Sequence, residues 1–171
     1  MADEPFPTLV VEALNLMHPR FAAANGTAYP AAEVESPAAL RKDRERSFVR
    51  EFYHQFRRLW DKALPVKLGL GHVVIQADPE VPAGRHPDLL FWQLGENGSP
   101  DRRLAALSVA FATNPLALDA DLAALARYRT APGYPVAVCV VVGRAADALG
   151  ASADGVTRIF YDTDRRTAVH I

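Results

Sequence analysis

His86-Pro87-Asp88-Leu89-Leu90-Phe91-Trp92-Gln93-Leu94, then Gly95-Glu96-Asn97-Gly98-Ser99-Pro100-Asp101, then Leu104-Ala105-Ala106-Leu107-Ser108-Val109-Ala110-Phe111, is the stretch that decides the fold. Two apolar runs with large side chains flank a turn of Gly, Asn, Ser and Pro, which is the pattern of a β-hairpin with a longer loop. Both runs are apolar at nearly every position, so the strands are expected to be covered on both faces, with helices on either side of the sheet. Asp88 stands at the mouth of the first strand, and the facing run offers only Ser108 and Ala110 against it.

Upstream of the hairpin, residues 41–63 carry the strongest helical signal. Phe48, Val49, Phe52, Phe56, Leu59 and Trp60 recur at spacings of three and four, and at about 100° per residue they fall in one stripe. Glu45 lies near the middle of that stripe. A carboxylate aimed at a core needs a partner, because burying it alone costs on the order of several kcal/mol; Arg85, Arg103 and Arg127 are the cations that sequence offers. The outer face of the helix is basic, and two readings stand beside each other: a solvated face, or phosphate contact through Arg50 and Arg57.

The remaining elements follow from local signals. Thr8 is expected to cap a short helix through Met17, with Leu9, Ala13, Leu16 and Met17 on its packed side. Residues 20–39 read as a connecting segment with a helical turn near 31–34. After Pro65, Val66 to Gln76 reads as a strand, with Gly69 and Gly71 marking a bend. Asp119 is expected to cap a helix to Arg129, closing at Pro132-Gly133. Pro135 to Gly143 is the most continuous β-branched run and reads as a central strand parallel to its neighbour, with Cys139 as a packing residue. Ala145 to Leu149 reads as a short helix, and Val156 to Tyr161 with Thr167 to Ile171 as two closing strands about the turn Asp162-Thr163-Asp164-Arg165.

With 171 residues the chain has room for one substantial core. The expected organisation is an N-terminal helix and connecting segment, residues 1–40, packing on an α/β core at 41–171. A net charge of −1 argues against strong non-specific attraction to nucleic acid. The single cysteine allows neither an internal disulfide nor a thiolate metal cluster. With no secretory pattern at the N-terminus and no run of about 18 apolar residues, a cytoplasmic protein without membrane association is expected. Gly-x-Gly-x-x-Gly, Walker and Gly-x-Ser-x-Gly motifs are absent, which excludes nucleotide enzymes and hydrolases built on them. The five histidines lack zinc-type spacing; His86, beside Asp88, is the one nearest a plausible site.

A helix with an inward glutamate, a strand, a strand opening with Pro87-Asp88, its hairpin partner, a helix and a β-branched strand together resemble the restriction-endonuclease-like, or PD-(D/E)XK, superfamily. The resemblance spans about residues 41–143 and implies a three-layer mixed sheet flanked by helices. It also implies a magnesium-dependent phosphodiesterase site made of a helical glutamate, the aspartate of Pro-Asp, and Glu-x-Lys on the next strand. Glu45 resembles the first and Asp88 the second, which would also be the metal ligand. Asp121-Leu122 and Leu125-Ala126-Arg127-Tyr128 are similar to the helix that commonly follows. Ser108-Val109-Ala110 stands where Glu-x-Lys belongs, so the second carboxylate and the lysine are both missing.

Magnesium wants an octahedral shell of oxygen ligands, and a nuclease uses its charge to generate hydroxide. Without Glu-x-Lys the expected function is that of a catalytically inactive nuclease-like domain with a binding or scaffolding role, of bacterial type, with no cofactor. Its expected partner is a second copy or another protein. The alternatives are a magnesium-dependent nuclease with a rearranged site, recruiting Asp78, Glu80 or Glu96, and a nucleic-acid binder that does not cleave.

Overall fold

A computed structural model describes residues 5–18, 21, 37–68, 73–77, 79, 86–131, 133–144 and 152–171 of the chain. In chain order its elements are α1 (Pro5–Asn15), α2 (Pro37–Leu68), β1 (Val73–Ala77), β2 (Leu89–Gln93), β3 (Arg102–Phe111), α3 (Pro115–Thr130), β4 (Val136–Gly143), β5 (Thr157–Asp162) and β6 (Thr167–His170). The fold is mixed α/β, and the six strands lie side by side in the order β1 to β6. The pairs β1/β2, β2/β3 and β5/β6 are antiparallel. The pairs β3/β4 and β4/β5 are parallel. A parallel pair cannot be closed by a tight turn, and α3 carries the chain back between β3 and β4.

The hairpin forms as its residues dictate. Asn97 and Gly98 both take positive φ, 54° and 83°, and the Ser99 N–H donates to the Glu96 carbonyl at 3.0 Å, the geometry of a primed turn that suits strand twist. The Gly95 N–H donates to Asp101 Oδ1 at 2.9 Å, closing the base of the loop. A register shift between Phe91 and Trp92 kinks the pair as a bulge does.

Strand alternation divides the buried residues between two cores. Leu89, Phe91, Leu107, Val138 and Ile159 face α1 and α2, where Phe6, Val10 and Leu14 of the first helix meet Phe48, Phe52, Phe56 and Trp60 of the second. Leu90, Ala106, Ala110, Cys139 and Val141 face Leu118, Leu122 and Leu125 of α3. Helices therefore cover both faces, as the uninterrupted apolar runs predict. At the β6 edge the side chain of Asn15, the last residue of α1, accepts the Ala168 N–H at 2.8 Å and so occupies a donor that an open edge would leave for another chain.

Three expectations about helix ends are corrected. Thr8 is not a cap: α1 opens at Pro5, so Thr8 lies inside it, and the buried face is Phe6, Leu9, Val10, Ala13 and Leu14 while Leu16 is 54% exposed. Pro65 does not end α2, which runs on to Leu68. Lys62, Ala63 and Leu64 before it and Lys67 and Leu68 after it are good helix formers, and the strand is confined to Val73–Ala77. Asp119 does not cap α3; Asn114 does, with its side chain accepting the Ala117 N–H at 3.3 Å and Pro115 at the first turn. The turn at 31–34, Gly69, Gly71 and the helix at 145–149 lie outside the described residues. No helix among the described residues is long and apolar enough to cross a membrane.

Candidate functional site

Where β2 begins, a half-open cleft of about 390 Å³ separates α2 from the sheet. Helix α2 contributes Glu45, Arg46, Arg50 and Tyr53; the approach to β2 contributes His86 and Asp88; α3 contributes Asp121. Val49, Ala77 and Val109 form the apolar part of the wall. Glu45 and Asp88, 43 residues apart in the chain, thus line one space, and the reason is local. The apolar stripe of α2 fixes its rotation on the sheet and leaves Glu45 half-buried, one turn before Phe48, at the end of the packed face. Pro87 and the hairpin register bring Asp88 to the edge of β3.

Asp88 Oδ2 accepts the Val109 N–H at 2.6 Å, a short, charge-assisted bond that satisfies a backbone donor where the ladder with β2 ends. Next along β3, Ser108 is 1% exposed and its hydroxyl has no hydrogen-bond partner among the described residues. It stands in register with Cys139. Ala110 is 3% exposed and packs in the α3-facing core. Both positions expected to hold Glu and Lys in a nuclease site are thus occupied by small, buried side chains.

Asp121 was not among the expected site residues, yet it is 4% exposed and lines the cleft. With the helix start placed at Asp119, Asp121 reads as a solvated first-turn acid. With the start at Asn114-Pro115 it sits between Leu118, Leu122 and Leu125 on the buried stripe, and this is the signal that identifies it. Arg50 lies at the exposed mouth of the cleft, whereas Arg57 is bound to Asp61 one turn on, Nε to Oδ1 at 3.0 Å. Arg127 is exposed in the last turn of α3 and is not part of the cleft lining, and Arg103 lies over the Tyr134 ring at 6.0 Å. Glu96 is exposed in the hairpin turn; Asp78, Glu80 and Arg85 lie outside the described residues.

Among the described residues no three His, Cys, Asp or Glu side chains are grouped closely enough to hold a metal ion. One Asp88 oxygen is already engaged by a backbone amide.

The acids are felt by their neighbours. Burial pushes the Cys139 thiol up from 9.0 to about 12, Asp121 and Asp88 add to the rise, and Arg158 opposes it. Burial likewise lifts Tyr161 from 10.0 to about 12, with Arg166 opposing and Asp162 adding. Folded protein therefore retains protons that the unfolded chain has released, so the stability contributed by these groups is complete below pH 9.0 and is lost as the pH climbs towards 12. Urea midpoints are expected to hold steady up to pH 9 and fall above it, with a shallower fall in Cys139→Ala; a midpoint that rises above pH 9 would contradict this.

Comparison of the chain with family models, with curated proteins and with solved structures returns no match in any of the three.

Proposed function

We propose that the chain is a degenerate restriction-endonuclease-like domain whose nuclease chemistry has been lost and which works by binding, with a second copy or another protein as its partner. The observation that carries this reading is the burial of Ser108 and Ala110 on β3, beside an Asp88 that holds a backbone amide. A nuclease needs a second anionic ligand to hold the metal and a cation to steady the attacking water. A hydroxyl and a methyl group supply neither. The topology supports the family reading without needing the chemistry: the helix bearing Glu45, the Pro-Asp strand, its antiparallel partner and the β3-α3-β4 crossover occur in the expected order.

Calorimetric titration of the purified chain with Mg²⁺ and Mn²⁺, alongside incubation with DNA and RNA, is the test. No metal uptake and no cleavage are expected. Metal binding that disappears in Asp88→Ala, together with cleavage, would replace this reading by the rearranged nuclease. Arg46, Arg50, Tyr53 and Arg57 lie along one stripe of α2 at spacings of four, three and four, which favours a second reading as a non-cleaving nucleic-acid binder. That reading requires an affinity that falls steeply with salt.

A further inference from the structure

The cleft is electrically two-ended. Its acids are the less exposed members: Asp121 is buried, and Glu45 and Asp88 are half-buried. Its arginines, Arg46 and Arg50, are exposed at the mouth, with half-buried Tyr53 one turn further along the same helix. On β3, in register with Cys139 and one residue before the amide that Asp88 holds, the Ser108 hydroxyl is buried with no hydrogen-bond partner among the described residues. Glu45, His86, Asp88 and Asp121 all have interactions within the chain, so an incoming group shares them with the partners they already have. The volume, about 390 Å³, lies in the roughly 300–1,000 Å³ range of sites for small organic molecules.

We infer that this cleft binds a small zwitterion with its cationic end inward. An ammonium or guanidinium group meets the acidic inner end of the cleft, Asp121 foremost, through charge-assisted hydrogen bonds. A carboxylate or phosphate at the other end meets the Arg46 and Arg50 guanidinium groups, and Tyr53 covers the aliphatic stem. This inference rests on the reading of the cleft as catalytically silent.

Titration of the full chain with L-arginine, L-lysine and phosphoethanolamine tests it, with agmatine as the probe that keeps the guanidinium but lacks the anion. At least one zwitterion is expected to bind with a Kd of about 1 mM or tighter, and agmatine at least tenfold more weakly than arginine if arginine is that ligand. Arg50→Ala, a change at an exposed position that leaves the cores intact, is expected to weaken binding at least tenfold, as is Asp121→Asn. Arg102→Ala, at the exposed start of β3, leaves it unchanged. Absence of binding by all three zwitterions, or binding indifferent to Arg50→Ala, overturns the inference. If no zwitterion binds and no metal binds either, only this inference fails; Asp88-dependent metal binding with cleavage removes the silent-site reading itself.

Discussion

Replacing Phe56 by alanine is expected to destabilise the fold by about 3–5 kcal/mol, the range for removing a fully buried aromatic ring from a core that cannot collapse to fill the gap. Phe56 is 0% exposed and touches rings on three separate elements. Its centroid lies 5.5 Å from Phe6 of α1, 5.7 Å and 5.6 Å from Phe52 and Trp60 of α2, and 5.2 Å from Phe91 of β2. Phe6 and Phe91 also meet edge to face at 4.9 Å, so the cluster is a closed set of contacts around the missing ring. Chemical denaturation of the variant checks this, and a loss below about 1.5 kcal/mol, the range of volume-conserving swaps, would show that the cluster repacks. Half-buried Leu59, on the flank of the same helix, is expected to cost less when truncated. The ring cluster also sets the rotation of α2 on the sheet, and with it the position of Glu45, Arg46 and Arg50.

That much is legible in the sequence, because a helix with six large apolar residues at three and four residue spacings has only one face to bury. The hairpin was equally legible: uninterrupted apolar runs with an Asn-Gly between them admit few alternatives. Central β4 followed from its β-branched run, and its parallel pairing from the helix before it. Helix boundaries were not legible, for a physical reason that differs at each. At Pro65 the proline reads as a stop, yet good helix formers on both sides carry the helix through it. At Asn114-Pro115 an asparagine cap with proline in the first turn competes with the acid at Asp119, five residues after the asparagine.

The true start of α3 has a functional consequence. Moving the start of α3 rotates nothing in space, but it changes which residues are read as solvated first-turn acids and which as members of the buried stripe. Asp121 moves from the first class to the second, and the cleft has a third carboxylate beside Glu45 and Asp88 that the nuclease motif does not contain. The pairing of Glu45 with Asp88 across one space could be anticipated, since an inward glutamate and a strand-mouth aspartate have few other places to meet. The two-signed character of the cleft could not, because whether Arg50 and Arg57 share an environment depends on contacts that helical periodicity alone does not specify. Arg57 is taken up by Asp61, and Arg50 is left at the mouth.

The sharpest demand on the silent-site reading falls on Ser108. Ser108→Ala deletes a hydroxyl that is buried with no partner among the described residues, so it is expected to be neutral or slightly stabilising. Ser108→Glu is expected to cost about 4 kcal/mol or more at pH 7, since the added side chain overfills a strand interior, at roughly 1–3 kcal/mol, and brings an ionised group out of water at several kcal/mol more. No basic residue stands at 110 to receive it, and Asp88 and Asp121 already act on the neighbouring Cys139 thiol in the same electrostatic sense. Burial and like charge both raise the introduced carboxyl above its unfolded value of about 4.3. The folded variant then holds a proton that its unfolded chain has lost, so its deficit relative to the parent shrinks as the pH falls from 7 towards 5. Paired denaturation curves at pH 7 and pH 5 read out both parts. A Ser108→Glu protein as stable as the parent at pH 7 would mean that position 108 still opens onto a site able to receive a carboxylate, and that packing is not what the serine is there for.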